Sequence, residues 1–217
     1  PDIVVITGDL INGGSEFVDQ TANALAGLRP RLGSFGVLGN HDFYGPEDQL
    51  CQKLDKAGVK MLRNRWHPIT PTTSSVPLYL AGIDDPRGSW YVNNLFGSLD
   101  AALQGIPAGG FTVLLSHRPN IFDESARRRI PLTIAGHTHG GQVRLFGYSP
   151  IVPSSFGNRF AWGHIIEDGR HLVVSGGLGC SILPVRFGMP PEITQRASGS
   201  ASLSSGSLMD PPGRWLP

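Results

Sequence analysis

The residues best able to do chemistry are four histidines, one aspartate and one asparagine, scattered along the chain. They are Asp9, Asn40, His41, His117, His137 and His139. Imidazole and carboxylate ligands together suit Zn, Fe, Mn, Co or Ni better than Ca or Mg alone. No cysteine belongs to this set, which disfavours a structural zinc site of the cysteine type. The residue types therefore indicate a catalytic transition-metal site.

The spacing within the set favours two ions over one. His137 and His139 lie two residues apart in a turn, so their imidazoles can point toward different ions. Two metal ions about 3.5–4 Å apart, bridged by a carboxylate, can hold a hydroxide and clamp a phosphate ester. Asp9 is the natural bridge. Since His41 directly follows Asn40, His41 can face the substrate while Asn40 faces the metal.

Buried strands are predicted to position these residues. Continuous apolar runs bounded by turn residues are typical of strands covered on both faces. They occur at 3–7, 35–38, 78–83, 111–115, 132–135 and 171–174, with helical patterns at 15–28, 46–57, 98–104 and 119–129. This alternation predicts an α/β fold with helices covering the sheet. Ligands of such sheets bind at the carboxyl ends of the strands, which is where the set lies.

Composition limits the function classes. The 217 residues include 29 Gly and 18 Pro, which predicts one loop-rich domain. The 18 basic and 17 acidic side chains leave a net charge of +1, so no global field attracts nucleic acid. No apolar run approaches the length of about 18 residues that a transmembrane helix needs.

The motifs resemble those of the calcineurin-like metallophosphoesterases. The resemblance rests on 8–9, 39–42, His117 and 136–139, in that order. It implies a layered β-sheet sandwich flanked by helices (α/β/β/α) over residues 1–194. Residues 116–119, 136–142 and 176–193 are similar to a bacterial subgroup. Members of that subgroup are often tethered at the cytoplasmic membrane, and some resemble phosphodiesterases or pyrophosphatases acting on lipid A precursors.

The resemblance also implies a role for each residue. Asp9 would bridge two divalent ions (Mn, Zn, Fe or Co), with Asn40, His117 and His137 on the second ion and His139 on the first. His41 would stabilise the transition state or protonate the leaving oxygen, and Asp42 would orient His41. The expected reaction is in-line attack of metal-bound hydroxide on a phosphoester, with a lipid-linked substrate as one option and no nucleic-acid partner.

The sequence departs from the family pattern at both ends. The family begins with an Asp-x-His motif that completes the first metal, and residues 1–217 contain none. We therefore expect the first strand of the fold to lie upstream of residue 1. Any segment that contacts the bacterial cytoplasmic membrane or envelope is expected to lie there too. The alternative is a catalytically impaired metal-binding scaffold. The Ser/Gly/Pro-rich composition of 195–217 predicts a disordered tail.

Four further residues are candidates for the walls of the site. Arg118 follows a predicted ligand, and its guanidinium could meet a phosphate oxygen. His164 is a second candidate substrate residue. Asp84 and Asp85 follow a predicted strand; we interpret them as a turn, with the pocket wall as the alternative.

Overall fold

The computed structural model describes residues 1–71, 75–85 and 95–196. Most of the predicted tail, from residue 197 onward, lies outside the described residues. A small parallel sheet consists of β1 (Val4–Ile6), β2 (Ser34–Gly36) and β3 (Val59–Met61), hydrogen-bonded in that order. Helix α1 (Val18–Leu25) connects β1 to β2, and α2 (Glu47–Lys56) connects β2 to β3. This is the βαβ arrangement that parallel neighbours require.

A six-stranded mixed sheet forms the larger part of the fold. Its strand order is β4 (Arg65–Ile69), β5 (Leu78–Gly82), β6 (Thr112–Leu115), β7 (Leu132–Ala135), β9 (Arg170–Val174) and β8 (Gly163–Glu167). The central strands β5, β6, β7 and β9 are parallel, and the edge strands β4 and β8 are antiparallel to their neighbours. Helix α3 (Leu95–Leu103) precedes β6, and α4 (Phe122–Arg127) precedes β7.

Alternation along the strands produces four layers. Val5 of β1 and Phe35 of β2 belong to the apolar cluster shared with Leu80 and Val113 of the larger sheet. Ile6 faces the opposite way, toward the cluster of α1 and α2 that contains Leu50. Since successive side chains of a strand point to opposite faces, each sheet packs on the other sheet and on helices. The expected α/β/β/α order is confirmed.

In the part of the chain that the structure describes, the sequence patterns found six of the nine strands and all four α-helices. β4 escaped prediction because Pro68 and two charged or polar neighbours interrupt its apolar pattern. An edge strand tolerates proline, since one row of its backbone groups has no partner to satisfy. The predicted helix at 119–129 divides into a 3-10 turn, Pro119–Ile121, and the shorter α4.

Candidate metal centre

Loops at the carboxyl ends of four strands meet at the edge shared by the two sheets. Asp9 follows β1 and Asn40 follows β2 in the small sheet, whereas His117 follows β6 and His137 follows β7 in the large one. Both strand pairs are parallel, so each pair delivers its two loops to the same edge. The face-to-face packing of the sheets then brings the two edges together.

Three predicted ligands form one compact cluster. His117 Nε2 lies 3.1 Å from Asp9 Oδ2 and 3.0 Å from His137 Nδ1. Ligand atoms of the three residues all lie within 4.8 Å of one another. His117 is only 1% exposed, so bulk water cannot form a hydrogen bond with its Nε2 atom.

A backbone carbonyl directly after β1 determines the tautomer of His117. His117 Nδ1 lies 2.6 Å from the carbonyl oxygen of Thr7, which can only accept a hydrogen bond. Nδ1 therefore carries a proton and donates it to Thr7. This arrangement aims Nε2 at the cluster, in the manner of metal-bound histidines whose second nitrogen donates to a carbonyl.

The protonation states suit a cation. Burial favours the neutral form of Asp9, but the hydrogen bond and charge of His117 outweigh it and lower the pKa of Asp9 to about 2. Burial, followed by the charges of His117 and Arg118, lowers the pKa of His137 to about 3. Burial opposes protonation of His117, yet its bond to Asp9 raises the pKa of His117.

The directions of these pKa shifts test whether the residues fit a metal ion. An ionised carboxylate and a neutral imidazole are the ligand forms of aspartate and histidine. His117 Nε2 faces both Asp9 Oδ2 and His137 Nδ1, so a cation between them would be bound by all three ligand atoms. One carboxylate and two imidazoles suit a first-row divalent ion. The donor set therefore fits the predicted cofactor.

Backbone strain is concentrated at the predicted ligands. Asp9, His137 and His139 have φ angles of 54°, 69° and 51°, in the left-handed region that non-glycine residues seldom occupy. Gly39 is required where the loops after β1 and β2 touch, because a Cβ there would overlap the Asp9 carboxylate. Strain of this kind persists only where the surrounding structure imposes it, and it is common at functional sites.

The Asp42 carboxylate has different hydrogen-bond partners from the one predicted. Its Oδ2 accepts from the amides of Asp9 (2.9 Å) and Gly39 (2.8 Å), and its Oδ1 accepts from Leu10 (2.8 Å) and Ile11 (3.0 Å). Burial raises the pKa of Asp42 to about 6 despite these bonds. Both oxygens are thus occupied by the loop backbone rather than by the His41 ring. We correct its role from orienting His41 to holding the Asp9 loop.

His41 itself lies beside the cluster. Its amide donates to Asp9 Oδ1 at 2.9 Å, which holds the second carboxylate oxygen of Asp9 in place. Its half-buried ring lies edge-on to Tyr44, with 5.6 Å between ring centroids. The imidazole is consequently accessible to a ligand while its backbone is tied to the cluster.

A carboxylate interpreted as a turn residue, with the pocket wall as the alternative, positions the arginine of the site. Asp85 Oδ2 accepts from Arg118 Nε at 2.6 Å, and Arg118 Nη2 donates to Asn40 Oδ1 at 3.1 Å. Asn40 is 3% exposed and the Asp85 side chain is fully buried. Sequence analysis had interpreted Asp85 as a turn residue. The available signal was its position after β5, on the same edge as the ligands.

His139 stands apart from the three clustered ligands. Its Nδ1 lies 3.3 Å from Arg186 Nη2, and burial together with the Arg186 charge lowers the pKa of His139. The same Arg186 nitrogen donates to the Gly176 carbonyl at 2.7 Å. Arg186 was not among the predicted site residues; it lies within the subgroup-like stretch 176–193, but no strand end marks it.

His164 contacts a second histidine. Its Nε2 lies 2.9 Å from His171 Nδ1, and the two rings stack. His171 pairs with Leu132, the first residue of β7, whereas the ligands follow the last residue of that strand. The described contacts of His164 are therefore with His171, and its role as a substrate residue stays a prediction.

Comparison with known proteins identifies the family. Residues 1–141 match the family model described as Calcineurin-like phosphoesterase. The chain belongs to the calcineurin-like phosphoesterase family. It is 34% identical over 193 residues to an uncharacterized metallophosphoesterase of Aquifex aeolicus, covering 89% of this chain and 71% of that protein. The match places it among metal-dependent phosphoric ester hydrolases.

Other similar proteins are longer than this chain. YkuE of Bacillus subtilis, an uncharacterized metallophosphoesterase, is 30% identical, over 89% of this chain and 66% of its own length. A Danio rerio transmembrane protein with metallophosphoesterase domain is 30% identical, over 89% of this chain and 45% of its own length. The solved structure of Thermus thermophilus sulfate thiohydrolase SoxB aligns with a TM-score of 0.48 and 16% identity, over 79% of this chain and 33% of SoxB.

Within the described residues, no helix has both the length and the apolar content needed to cross a bilayer.

In this calcineurin-like phosphoesterase, Arg118→Lys is expected to weaken Mn²⁺ binding about tenfold, as measured by calorimetric titration. A lysine keeps the charge, but its single ammonium cannot reproduce the fork that joins Asp85 to Asn40. Arg31→Lys is the matched control, since Arg31 pairs with Asp2 at the surface, away from the cluster ligands. Unchanged Mn²⁺ affinity in Arg118→Lys would show that Asn40 needs no such support.

Proposed function

We propose that this chain is the catalytic part of a phosphoesterase that uses two divalent ions, chosen from Mn, Zn, Fe and Co, to hydrolyse a phosphodiester, phosphomonoester or pyrophosphate bond. The observation that carries the proposal is the convergence of Asp9, His117 and His137 from two different sheets. Because the chain spans only part of several relatives, the activity of the whole protein is included in the proposal.

The chain supplies ligands of the expected kind. Asp9, His117 and His137 would hold one ion, with the buried Asn40 oxygen beside them, and His139 would contribute to a second ion shared through Asp9. When bound, such ions supply Lewis acidity toward phosphoryl oxygens and lower the pKa of water. The residues around them contribute alignment and charge, which is the main protein contribution to phosphoryl chemistry.

His41 is the proposed general acid. Hydrolysis joins the oxygen of water to phosphorus and breaks the bond to the leaving oxygen, which then needs a proton. The His41 ring is half-buried next to Asp9 and can donate that proton from the imidazolium form. Its backbone bond to Asp9 keeps the acid at a fixed distance from the ligand cluster. Arg118 completes the positive surroundings of the phosphate.

His41→Ala is expected to lower turnover of an aryl phosphodiester, bis-para-nitrophenyl phosphate, about a hundredfold. Metal content should stay at the wild-type level, because the backbone amide that binds Asp9 is retained. Turnover is measured with Mn²⁺- or Zn²⁺-loaded protein, and metal content by elemental analysis. His67→Ala is the control, since that imidazole packs on Phe35. Full turnover in His41→Ala would remove the general acid from the proposal.

A second candidate function is a metal-binding scaffold without turnover. The observation in its favour is the contact of His139 with Arg186, which places a cation beside the ligand proposed for the other ion. Titration with Mn²⁺ separates the two functions. Two bound ions with diester hydrolysis support the enzyme, whereas one bound ion without hydrolysis supports the scaffold.

We also propose that the family domain continues to residue 194, beyond the matched residues 1–141. The support is Glu192, whose Oε1 accepts from the Gly176 amide at 2.7 Å and from Trp162 Nε1 at 2.8 Å. These bonds tie the segment before residue 194 to the loop after β9, next to the site. A lipid-linked phosphodiester or pyrophosphate, such as a lipid A precursor, is the finer substrate hypothesis, supported by the subgroup motifs at 116–119 and 136–142.

A further inference from the structure

Two neighbouring loops beside the metal centre expose an unusual amount of apolar surface. We define the apolar loop pair as residues 145–151 and 178–187. Among the described residues, nine of the fifteen exposed large apolar side chains belong to it. Phe146 and Ile182 are fully exposed, at 107% and 101%, and the other seven are between 47% and 78% exposed. Contiguous apolar patches on soluble domains mark interaction surfaces.

Hydrogen bonds give the apolar loop pair a defined shape. The Arg144 amide donates to the Phe187 carbonyl and the Phe187 amide to the Gln142 carbonyl, both at 2.8 Å. Leu145 and Tyr148 exchange backbone bonds of 2.8 and 2.9 Å, which places Phe146 at the tip of a tight turn. The side chain of Gln142 donates to the carbonyls of Leu183 and Val185 in the other loop. The apolar side chains are thus held outward by an ordered backbone.

Ile182 is exposed at a cost in backbone energy. Its φ of 64° lies in the left-handed region, which is a genuine outlier for a β-branched residue. Such strain persists only where neighbouring contacts impose it. Here the flanking Ser181 amide donates to Gln142 Oε1, and Leu183 accepts from the same side chain. The loop therefore presents isoleucine to solvent although the backbone disfavours it.

Neither loop of the apolar loop pair contains an acidic residue, and the nearby Glu192 carboxylate is bonded to the Gly176 amide and to Trp162 Nε1. No Asp or Glu occurs between Glu124 and Glu167 or between Asp168 and Glu192. Arg144 stacks over the Trp162 ring, 5.4 Å from its centroid, and Arg186 donates to the Gly176 and Gly179 carbonyls. Within the described residues neither guanidinium forms an ion pair with a carboxylate, although Arg144 Nη1 is buried and Arg186 is half-buried.

We propose that the apolar loop pair docks onto the surface of an anionic lipid bilayer. Phe146 and Ile182 enter the boundary between headgroups and acyl chains, and Arg144 and Arg186 lie near the headgroup phosphates. Combined apolar burial and attraction of basic residues to anionic lipid is the usual energetics of surface binding. A second copy of the chain is a poorer occupant, since a symmetric contact would bring the arginines of both copies together.

Vesicle sedimentation of the 217-residue chain tests this docking. We expect binding to vesicles of phosphatidylcholine mixed with phosphatidylglycerol, and weaker binding to phosphatidylcholine alone. The double variant Phe146→Ser and Ile182→Ser should reduce the partition coefficient at least about tenfold. Its melting temperature should not fall and its hydrolysis of the aryl diester should match wild type, because both side chains contact solvent and serine relieves the backbone cost at position 182. Val76→Ser, at a loop position 68% exposed, is the control.

Two further measurements decide between outcomes. Phe146→Trp should show fluorescence quenched by brominated lipids, and Val76→Trp should not. Asp9→Asn should still bind vesicles, which separates this proposal from that of the enzyme. Wild-type binding by the double variant would overturn the docking, as would a wild-type dimer in analytical ultracentrifugation that the double variant converts to a monomer without any vesicle binding.

Discussion

Asp9→Asn is expected to remove the bound divalent ion and to reduce phosphodiester hydrolysis by about three orders of magnitude. A metal ion contributes several kcal/mol of charge stabilisation in the transition state, and each 1.36 kcal/mol is tenfold in rate. Asparagine keeps the size of Asp9 and tolerates its φ of 54°. Its amide oxygen can still accept from the His41 amide, so the change removes charge with little effect on the loop.

Metal content and turnover are measured together, by elemental analysis after dialysis and by release of para-nitrophenol. Asp48→Asn is the matched control, because the Asp48 side chain is 84% exposed and forms a surface pair with Arg63. Wild-type metal content in Asp9→Asn would contradict the ligand role. Loss of turnover with full metal content would instead assign Asp9 to the chemistry alone.

Asp42→Ala is expected to lower the free energy of unfolding by about 3 kcal/mol, because it leaves four backbone amides without their acceptor. This loss of unfolding free energy is smaller than four separate hydrogen bonds would suggest, because burying the carboxylate itself costs free energy. The raised pKa of Asp42, about 6, indicates that cost. The measurement is urea unfolding followed by circular dichroism. Metal affinity should fall as well, because the Asp9 loop loses its anchor.

Two variants separate this structural role from a catalytic one. Asp42→Asn retains the volume and one acceptor oxygen, and should lose less stability than Asp42→Ala. Asp55→Ala, at an exposed position of α2, should have little effect. If Asp42→Ala unfolds like wild type and loses only turnover, the first prediction, that Asp42 orients His41, would be restored.

The local sequence pattern was sufficient to predict much of the site. His117 and His137 each follow an apolar run after one intervening residue, and the carboxyl ends of parallel strands in an α/β sheet lie at one edge of the sheet. The residue types then restrict the ligand, because imidazole and carboxylate together favour a transition metal. The prediction of Asp42 failed for a related reason: sequence adjacency to His41 suggested a partnership, whereas the carboxylate turns back to the loop of Asp9, 33 residues earlier.

The amino-acid sequence by itself determined the candidate ligands, the buried strands before them and the family to which they belong, because each of these depends on residues close together in the chain. Only the tertiary structure decided that Asp85 holds Arg118, that Arg118 reaches Asn40 across 78 residues, and that Arg186 contacts His139. It also decided that the apolar loop pair faces solvent. These contacts depend on how two sheets and their loops pack, and no short-range pattern encodes that packing.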